Sequence, residues 1–151
     1  MIIAEDLIQD KNRELVSVPS TTTVAEAVAL MKRENVGCLL VSEADQIVGI
    51  WTERNLSRDL AQDGFGIASA PLSAYMSQPL LCCEWNESVY RLMDKFLGLR
   101  IRHLVVKKEG AFIGLLSAGD AMKASIRAKD QELAQANASL SWDYYEEWKH
   151  K

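Results

Sequence analysis

Two histidines, three cysteines and three prolines are all that the 151 residues hold of those types. So little histidine and cysteine removes most ways of holding a transition metal, since such sites need these residues clustered at short spacings. Cys38 stands alone, and Cys82 and Cys83 are adjacent, which suits neither zinc nor a structural disulfide. They read as small apolar strand residues in a reducing compartment. No basic neighbour is placed to lower a thiol pKa, and no nucleophile stands beside a general base, so the chain reads as a non-enzyme. Long apolar runs are missing too, and a membrane-spanning helix needs about 20 such residues. The first ten residues carry acids where a signal peptide carries bases. Basic excess is also lacking, with 17 Lys and Arg against 21 Asp and Glu and a net charge of −4. That balance argues against nucleic acid and anionic membrane as partners. A cytoplasmic protein is expected.

What is present suits a globular domain, with 48% hydrophobic and 25% charged residues. A chain of this length buries roughly 70% of its unfolded surface, so it needs no metal or disulfide to hold together.

Its organising feature is an internal repeat. Gly49-Ile50-Trp51-Thr52-Glu53-Arg54-Asn55 falls without a gap on Gly114-Leu115-Leu116-Ser117-Ala118-Gly119-Asp120, an offset of 65 (114 − 49). The same offset pairs Leu15 with Leu80, Val24 with Val89, Leu39 with Leu104 and Val41 with Val106. Duplication of this kind fixes the architecture first. In the first copy, Thr23 and Glu26 form a capping-box pattern that opens a helix over 24–34, with Val24, Ala27, Val28 and Met31 as its apolar stripe and Gly37 as its stop. Apolar runs at 38–41 and 47–51 are predicted as strands covered on both faces, followed by a helix over 53–63 closed by Gly64. The second copy predicts a lead-in strand at 80–83, a helix over 89–97 stopped by Gly98, strands at 103–107 and 111–116 joined by a tight turn at Glu109-Gly110, and a last helix from near Ala118 that runs past the repeat. The expected division is 1–63 for the first repeat with the N-terminal segment, 64–75 for a linker, 76–127 for the second repeat and 128–151 for a helical tail. Two such units packed about a pseudo-twofold axis create clefts, where ligands tend to bind.

In both copies a strand ends at Gly-x-x-(Thr/Ser)-x-x-(Asn/Asp) and a helix begins. Thr52 or Ser117 takes the N-cap, Asn55 or Asp120 lies on the same side of the first turn, and the free backbone N–H groups favour anions. The pattern is equally a plain capping motif that needs no ligand.

The paired signature, lead-in strand, spacing and duplication resemble a tandem pair of CBS (cystathionine beta-synthase) domains, a Bateman module, over about residues 10–127. The resemblance implies an α/β (α+β) fold of two βαββα repeats with a C-terminal helical extension, in a stand-alone bacterial-type protein that forms a homodimer. It implies a regulatory module that binds AMP, ADP, ATP or S-adenosylmethionine between repeats, requires no cofactor, and signals through its dimer or a partner. An ionised carboxylate offers two acceptor oxygens to vicinal ribose hydroxyls, a role that suits Asp120, with Ser117 adding a bond. On the family pattern the base side of this main cleft falls on Val16, Val18, Val36, Gly37 and Cys38, which also read as core residues. Arg102 and His103 match the usual phosphate position, Arg102 the better of the two because its charge is permanent. Lys11 and Arg13 are further cationic candidates. The second cleft, with Thr52, Arg54 and Asn55 opposite Leu81, Cys83, Ile101 and Arg102, is expected to be weak. An amide cannot accept from both hydroxyls, at a cost of about 1–3 kcal/mol. Trp51 reads as core, or as a ring that stacks on a purine.

Past Asp130 the resemblance ends. Leu133, Ala136 and Leu140 form an apolar line, and Trp142, Tyr144, Tyr145 and Trp148 concentrate aromatics suited to an interface. A tail that packs across a dimer or onto a partner protein is one reading, and one that folds back on its own domain is the other. The rival to nucleotide sensing is a dimerisation or docking module whose clefts are vestigial.

Overall fold

Each repeat folds as a three-stranded sheet in which a short lead-in strand pairs parallel with the first strand of an antiparallel hairpin. The computed structural model describes the backbone of residues 1–149 and the side chains of 1–138. In the first repeat, β1 (Ser17–Pro19) lies beside β2 (Cys38–Glu43), which pairs with β3 (Gln46–Thr52). In the second, β4 (Cys82–Glu84) lies beside β5 (His103–Lys108), which pairs with β6 (Ala111–Ser117).

Between lead-in strand and hairpin runs a helix, α2 (Val24–Glu34) or α5 (Val89–Gly98). Thr23 caps α2 and Glu26 returns the bond, so the box read from the sequence forms. Val24, Ala27 and Met31 point into a core with Val18, Leu39, Val41, Trp51 and Leu72. Val89, Leu92 and Phe96 do the same with Cys83, Leu104, Val106 and Leu116. After each hairpin comes α3 (Glu53–Asp59) or α6 (Ala118–Lys149). The two repeats are thus βαββα units, as expected.

Several expected boundaries differ for backbone reasons. Helix α2 ends on Asn35, whose φ of 52° reverses the chain, and Gly37 plays no such part. Gly98 remains inside α5, and the reversal falls on Arg100 at φ 53°. The β2–β3 connection is as tight as its partner: Ala44 and Asp45 take φ 47° and 59°, where Glu109 and Gly110 take 51° and 82°. Both are two-residue turns with positive φ, whose twist matches that of the strands. Helix α3 stops at Asp59, short of the predicted 63. The expectation of strands covered on both faces holds for β2 and β5, while burial alternates along β3 and β6.

The main correction concerns the segments that precede the repeats. Contacts divide the chain into one unit of Arg13–Leu81 and another of Met1–Asn12 with Cys82–Lys151. The N-terminal segment, expected with the first repeat, forms α1 (Ala4–Lys11) and packs on the second. Its Ala4 and Leu7 are buried in that core. The linker likewise forms α4 (Leu72–Tyr75), which packs on the first repeat through Leu72. The same backbone bonds seat both segments. Ala4 N–H donates to Glu87 O, Glu5 N–H to Trp85 O, and Ile2 O accepts from Val89 N, each at 2.9 Å. In the other unit Leu72 N–H donates to Thr22 O, Ser73 N–H to Ser20 O, and Ala70 O accepts from Val24 N, again at 2.9 Å. The offset between docked segments is 68 (72 − 4), against 65 for the repeats they dock on.

The motif glycines explain why these segments come so close. A Cβ on Gly114 would strike Ile8, with Cγ1 and Cγ2 both 2.8 Å away, and one on Gly49 would lie 2.6 Å from Met76 Sδ and 3.2 Å from Ser77 O. Only glycine permits either approach. Ile8 is blocked at the root of a branched side chain, whereas Met76 presents a flexible sulfur. Gly114→Ala is therefore expected to destabilise the protein by about 1–3 kcal/mol, and more than Gly49→Ala does. Urea unfolding of both variants, with Ile8→Ala as partial rescue of the first, checks this.

Candidate functional site

Helix α6 starts directly where β6 ends, because Ala118 N–H donates to Arg102 O at 3.0 Å and turns the chain at the sheet edge. This places Ser117, Asp120, Arg102 and His103 together, with His103 opposite Ser117 in the β5–β6 register. Ser117 Oγ accepts from Asp120 N–H at 3.2 Å and donates to Asp120 Oδ2 at 2.8 Å, and Ser117 N–H donates to the same oxygen at 2.8 Å. The capping pattern is real. It does not exhaust the carboxylate.

Lys11, the last residue of α1, supplies what the sequence reading placed only among further candidates. Its Nζ donates to Asp120 Oδ2 at 2.8 Å and to Leu115 O at 3.2 Å. Oδ2 thus receives three donors, and Oδ1 receives none among the described residues. Burial pushes the Asp120 carboxyl up, but the bonds from Lys11 and from Ser117 N–H and Oγ outweigh it and hold the group below its ordinary value. His103 is lowered by burial first and then by Lys11 and Arg102, with Asp120 opposing, so the imidazole is neutral at pH 7. Arg102 is exposed and has no ion pair among the described residues. Two permanent cations and one carboxylate leave the cluster with an excess positive charge.

The matching junction of the first repeat is built differently. Thr52 Oγ1 accepts from Asn55 N–H at 3.3 Å and donates to Asn55 Oδ1 at 2.7 Å. Asn55 Nδ2 donates to Tyr75 O at 3.3 Å and Ser77 Oγ at 2.9 Å. Asn55 is buried, and its amide hydrogens hold the last residue of α4 and the chain just after it in place. The Asn-for-Asp difference therefore has a structural cause, because a carboxylate here would face the Tyr75 carbonyl oxygen without a proton to offer. Arg54 is exposed and forms no ion pair among the described residues. Trp51 is wholly buried, with Nε1 donating to the buried Asp59 at 3.1 Å, which excludes it as a stacking platform. The sequence reading missed Asp59 because nothing local marks a carboxylate that answers an indole eight residues back.

Of the expected base-side residues, Val18 and Cys38 place their side chains in the core, while Val16 and Val36 are partly buried and Gly37 is exposed. Val36 and Gly37 also border a recess of about 480 Å³ between α2 and α3, lined by Val28, Met31, Lys32 and Glu53 among others. In the second repeat Leu81 is exposed, Ile101 packs on the core, and Cys83 is buried with its thiol pushed up to about 12 by burial and by Glu87. A thiol so placed is inert at neutral pH. Arg13 reaches Asn35 O at 3.4 Å and does not join the Asp120 cluster. Among the described residues no group of His, Cys, Asp or Glu could hold a metal ion, and no helix is long and apolar enough to cross a membrane. Leu133 is exposed on α6, whereas the side chains of Leu140, Trp142, Tyr144, Tyr145 and Trp148 lie outside the described residues.

Asn55→Asp is expected to cost about 1–3 kcal/mol at pH 7, since the buried donor pair is lost and a charge is left facing a carbonyl. Denaturant melts at pH 7 and pH 4 check it, the deficit shrinking at low pH as the new carboxyl protonates. Acid should act on the wild type in two stages. His103 binds its proton less readily folded than unfolded, so its contribution is complete above about pH 6.5 and is lost as pH falls below that value. Asp120 contributes above its ordinary range near 3.8, and that part is lost as pH falls through its lower folded value. Stability measured from pH 8 to 3 in wild type and His103→Gln should show the upper stage only in the wild type.

Comparisons with known proteins identify the fold and the family. The model of the CBS domain matches residues 4–62 and again 72–127. A mitochondrial CBS domain-containing protein, CBSX3 of Arabidopsis thaliana, is 32% identical over 127 residues, covering 81% of this chain and 62% of that relative's length. The crystal structure of the CBS-domain containing protein ATU1752 from Agrobacterium tumefaciens matches with a TM-score of 0.77 at 30% identity, over 82% of this chain and 99% of that one. The CBS domain protein PAE2072 from Pyrobaculum aerophilum, solved complexed with AMP, matches with a TM-score of 0.69 at 26% identity, over 79% and 89% of the two chains. With two family matches that together span most of its length and one βαββα unit folded from each repeat, the chain belongs to the CBS domain family.

Proposed function

We propose that the protein is a regulatory module that senses adenosine nucleotides, with Ser117 and Asp120 as its ribose contact. The observation that carries this is a carboxylate kept ionised by Lys11 and Ser117, whose donors among the described residues all fall on Oδ2. The solved relative that holds AMP supports the ligand class. Local charge favours phosphorylated ligands: Lys11 and Arg102 outnumber Asp120, and neutral His103 adds a polar edge without charge. AMP, ADP and ATP fit that field better than the sulfonium of S-adenosylmethionine. A bound nucleotide signals only if it prefers one arrangement of the protein over another, so the response reads out differential affinity. The module works as a cytoplasmic homodimer, with the C-terminal helix as the surface offered to a partner protein.

A docking module without ligand is the second reading, favoured by the exposed Leu97 on α5, Leu99 just after it, and Met122, Ile126 and Leu133 on α6. A thermal-shift panel of AMP, ADP, ATP, S-adenosylmethionine and NADH separates the two. At a hundredfold excess over Kd a nucleotide stabilises by about 2.7 kcal/mol, several degrees in Tm for a chain of this size. Asp120→Asn should weaken AMP about tenfold to a hundredfold and shrink that shift. Stabilisation by none of the panel favours the docking module, and equal stabilisation of wild type and Asp120→Asn overturns the ribose contact at Asp120.

A further inference from the structure

We infer that Lys11 is the second half of a vicinal-diol reader, donating to one ribose oxygen while Asp120 Oδ1 accepts from the neighbouring hydroxyl. The inference rests on the ribose contact proposed above and assigns how that contact discriminates. A lone carboxylate receives two hydroxyls by using both of its oxygens. Asp120 is not in that position, because Oδ2 already holds Lys11 Nζ, Ser117 N–H and Ser117 Oγ, each at 2.8 Å. One hydroxyl can be met by Oδ1. The other needs a different partner.

Lys11 provides it. An ammonium has three N–H donors, and here two are placed, on Asp120 Oδ2 and on Leu115 O. The third meets no partner among the described residues, so the ion pair can offer a ligand both a donor on Lys11 and an acceptor on Asp120 Oδ1, the two functions that a vicinal diol requires. Both side chains are 28% exposed, so the pair can be reached by a ligand yet is shielded enough for charge-assisted bonds to count. The structure also holds Lys11 in place. Ile8, one turn earlier on α1, lies against Gly114, and the backbone bonds of Ala4 and Glu5 fix the start of the helix. Among the described residues the first repeat has no equivalent, since Asn55 is met by a carbonyl and a hydroxyl and by no ammonium.

A reader of this kind selects ribose over deoxyribose at both hydroxyls, and its two halves separate by mutation. The test is calorimetric titration of wild type and Lys11→Met with AMP, 2′-deoxy-AMP and 3′-deoxy-AMP. Wild type should bind AMP about tenfold or more tighter than either deoxy ligand. In Lys11→Met one of those two ratios should fall to near one while the other persists. If both ratios persist, Lys11 does not touch the sugar; if both collapse together, it acts only by holding Asp120. Either result overturns the inference. Lys11→Gln, which keeps an N–H donor without charge, carries the same comparison should the Met variant fail to fold, and should retain part of the selectivity. Wild type that binds AMP without discriminating against deoxyribose leaves the nucleotide site standing and removes the reader. Wild type that binds none of the three ligands removes the site itself.

Discussion

The structure depends on one repeated contact, the close approach of a short segment to a strand-to-helix junction that lacks a Cβ. Gly114 admits Ile8 of α1, and Gly49 admits Met76 just after α4. Each approach lets the incoming segment satisfy the polar residue that opens the following helix. Without it, Asp120 would be a buried-edge carboxylate short of a counter-charge, and the Asn55 amide would be buried with two unmet donors, a costly state in either case.

The two junctions solve that problem with different chemistry, and the difference decides which polar groups each commits to its own fold. Lys11 brings a cation, so its partner must be an acid, and the acid keeps one oxygen open. Tyr75 O and Ser77 Oγ bring neutral acceptors, so their partner must be a donor, and the amide is fully engaged. What looks in the sequence like one intact and one decayed ligand position is a pair of junctions, each matched to the segment that docks on it.

Much of this was legible in the sequence. The offset of 65 located both sheets, both capped helices and both junctions, because the repeat and its apolar periodicity are local signals. Ser117 and Asp120 were singled out by the resemblance to a CBS pair, since their spacing alone reads equally as a helix cap. The partner of Asp120 was not, since Lys11 lies 109 positions away and nothing in residues 4–11 says which repeat they cover. Helix stops were misplaced for a related reason: glycine is the usual reversal, yet Asn35 and Arg100 adopt positive φ while Gly37 and Gly98 do not. Asn and Asp tolerate that region through local hydrogen bonding, and an arginine there carries no local signal. The Asn55 mismatch was visible, and its meaning was not, because the groups that require an amide come from a segment 20 and 22 residues on.

That nucleotide recognition belongs to the Asp120 junction and not to its Asn55 counterpart is tested most directly by a crystal structure of the protein grown with AMP. The expected result is a ribose hydroxyl within hydrogen-bond distance of Asp120 Oδ1, with the Asn55 amide still donating to Tyr75 O and Ser77 Oγ. AMP whose ribose sits on Asn55, or AMP bound away from both junctions while Lys11 and Asp120 remain paired and untouched, contradicts it.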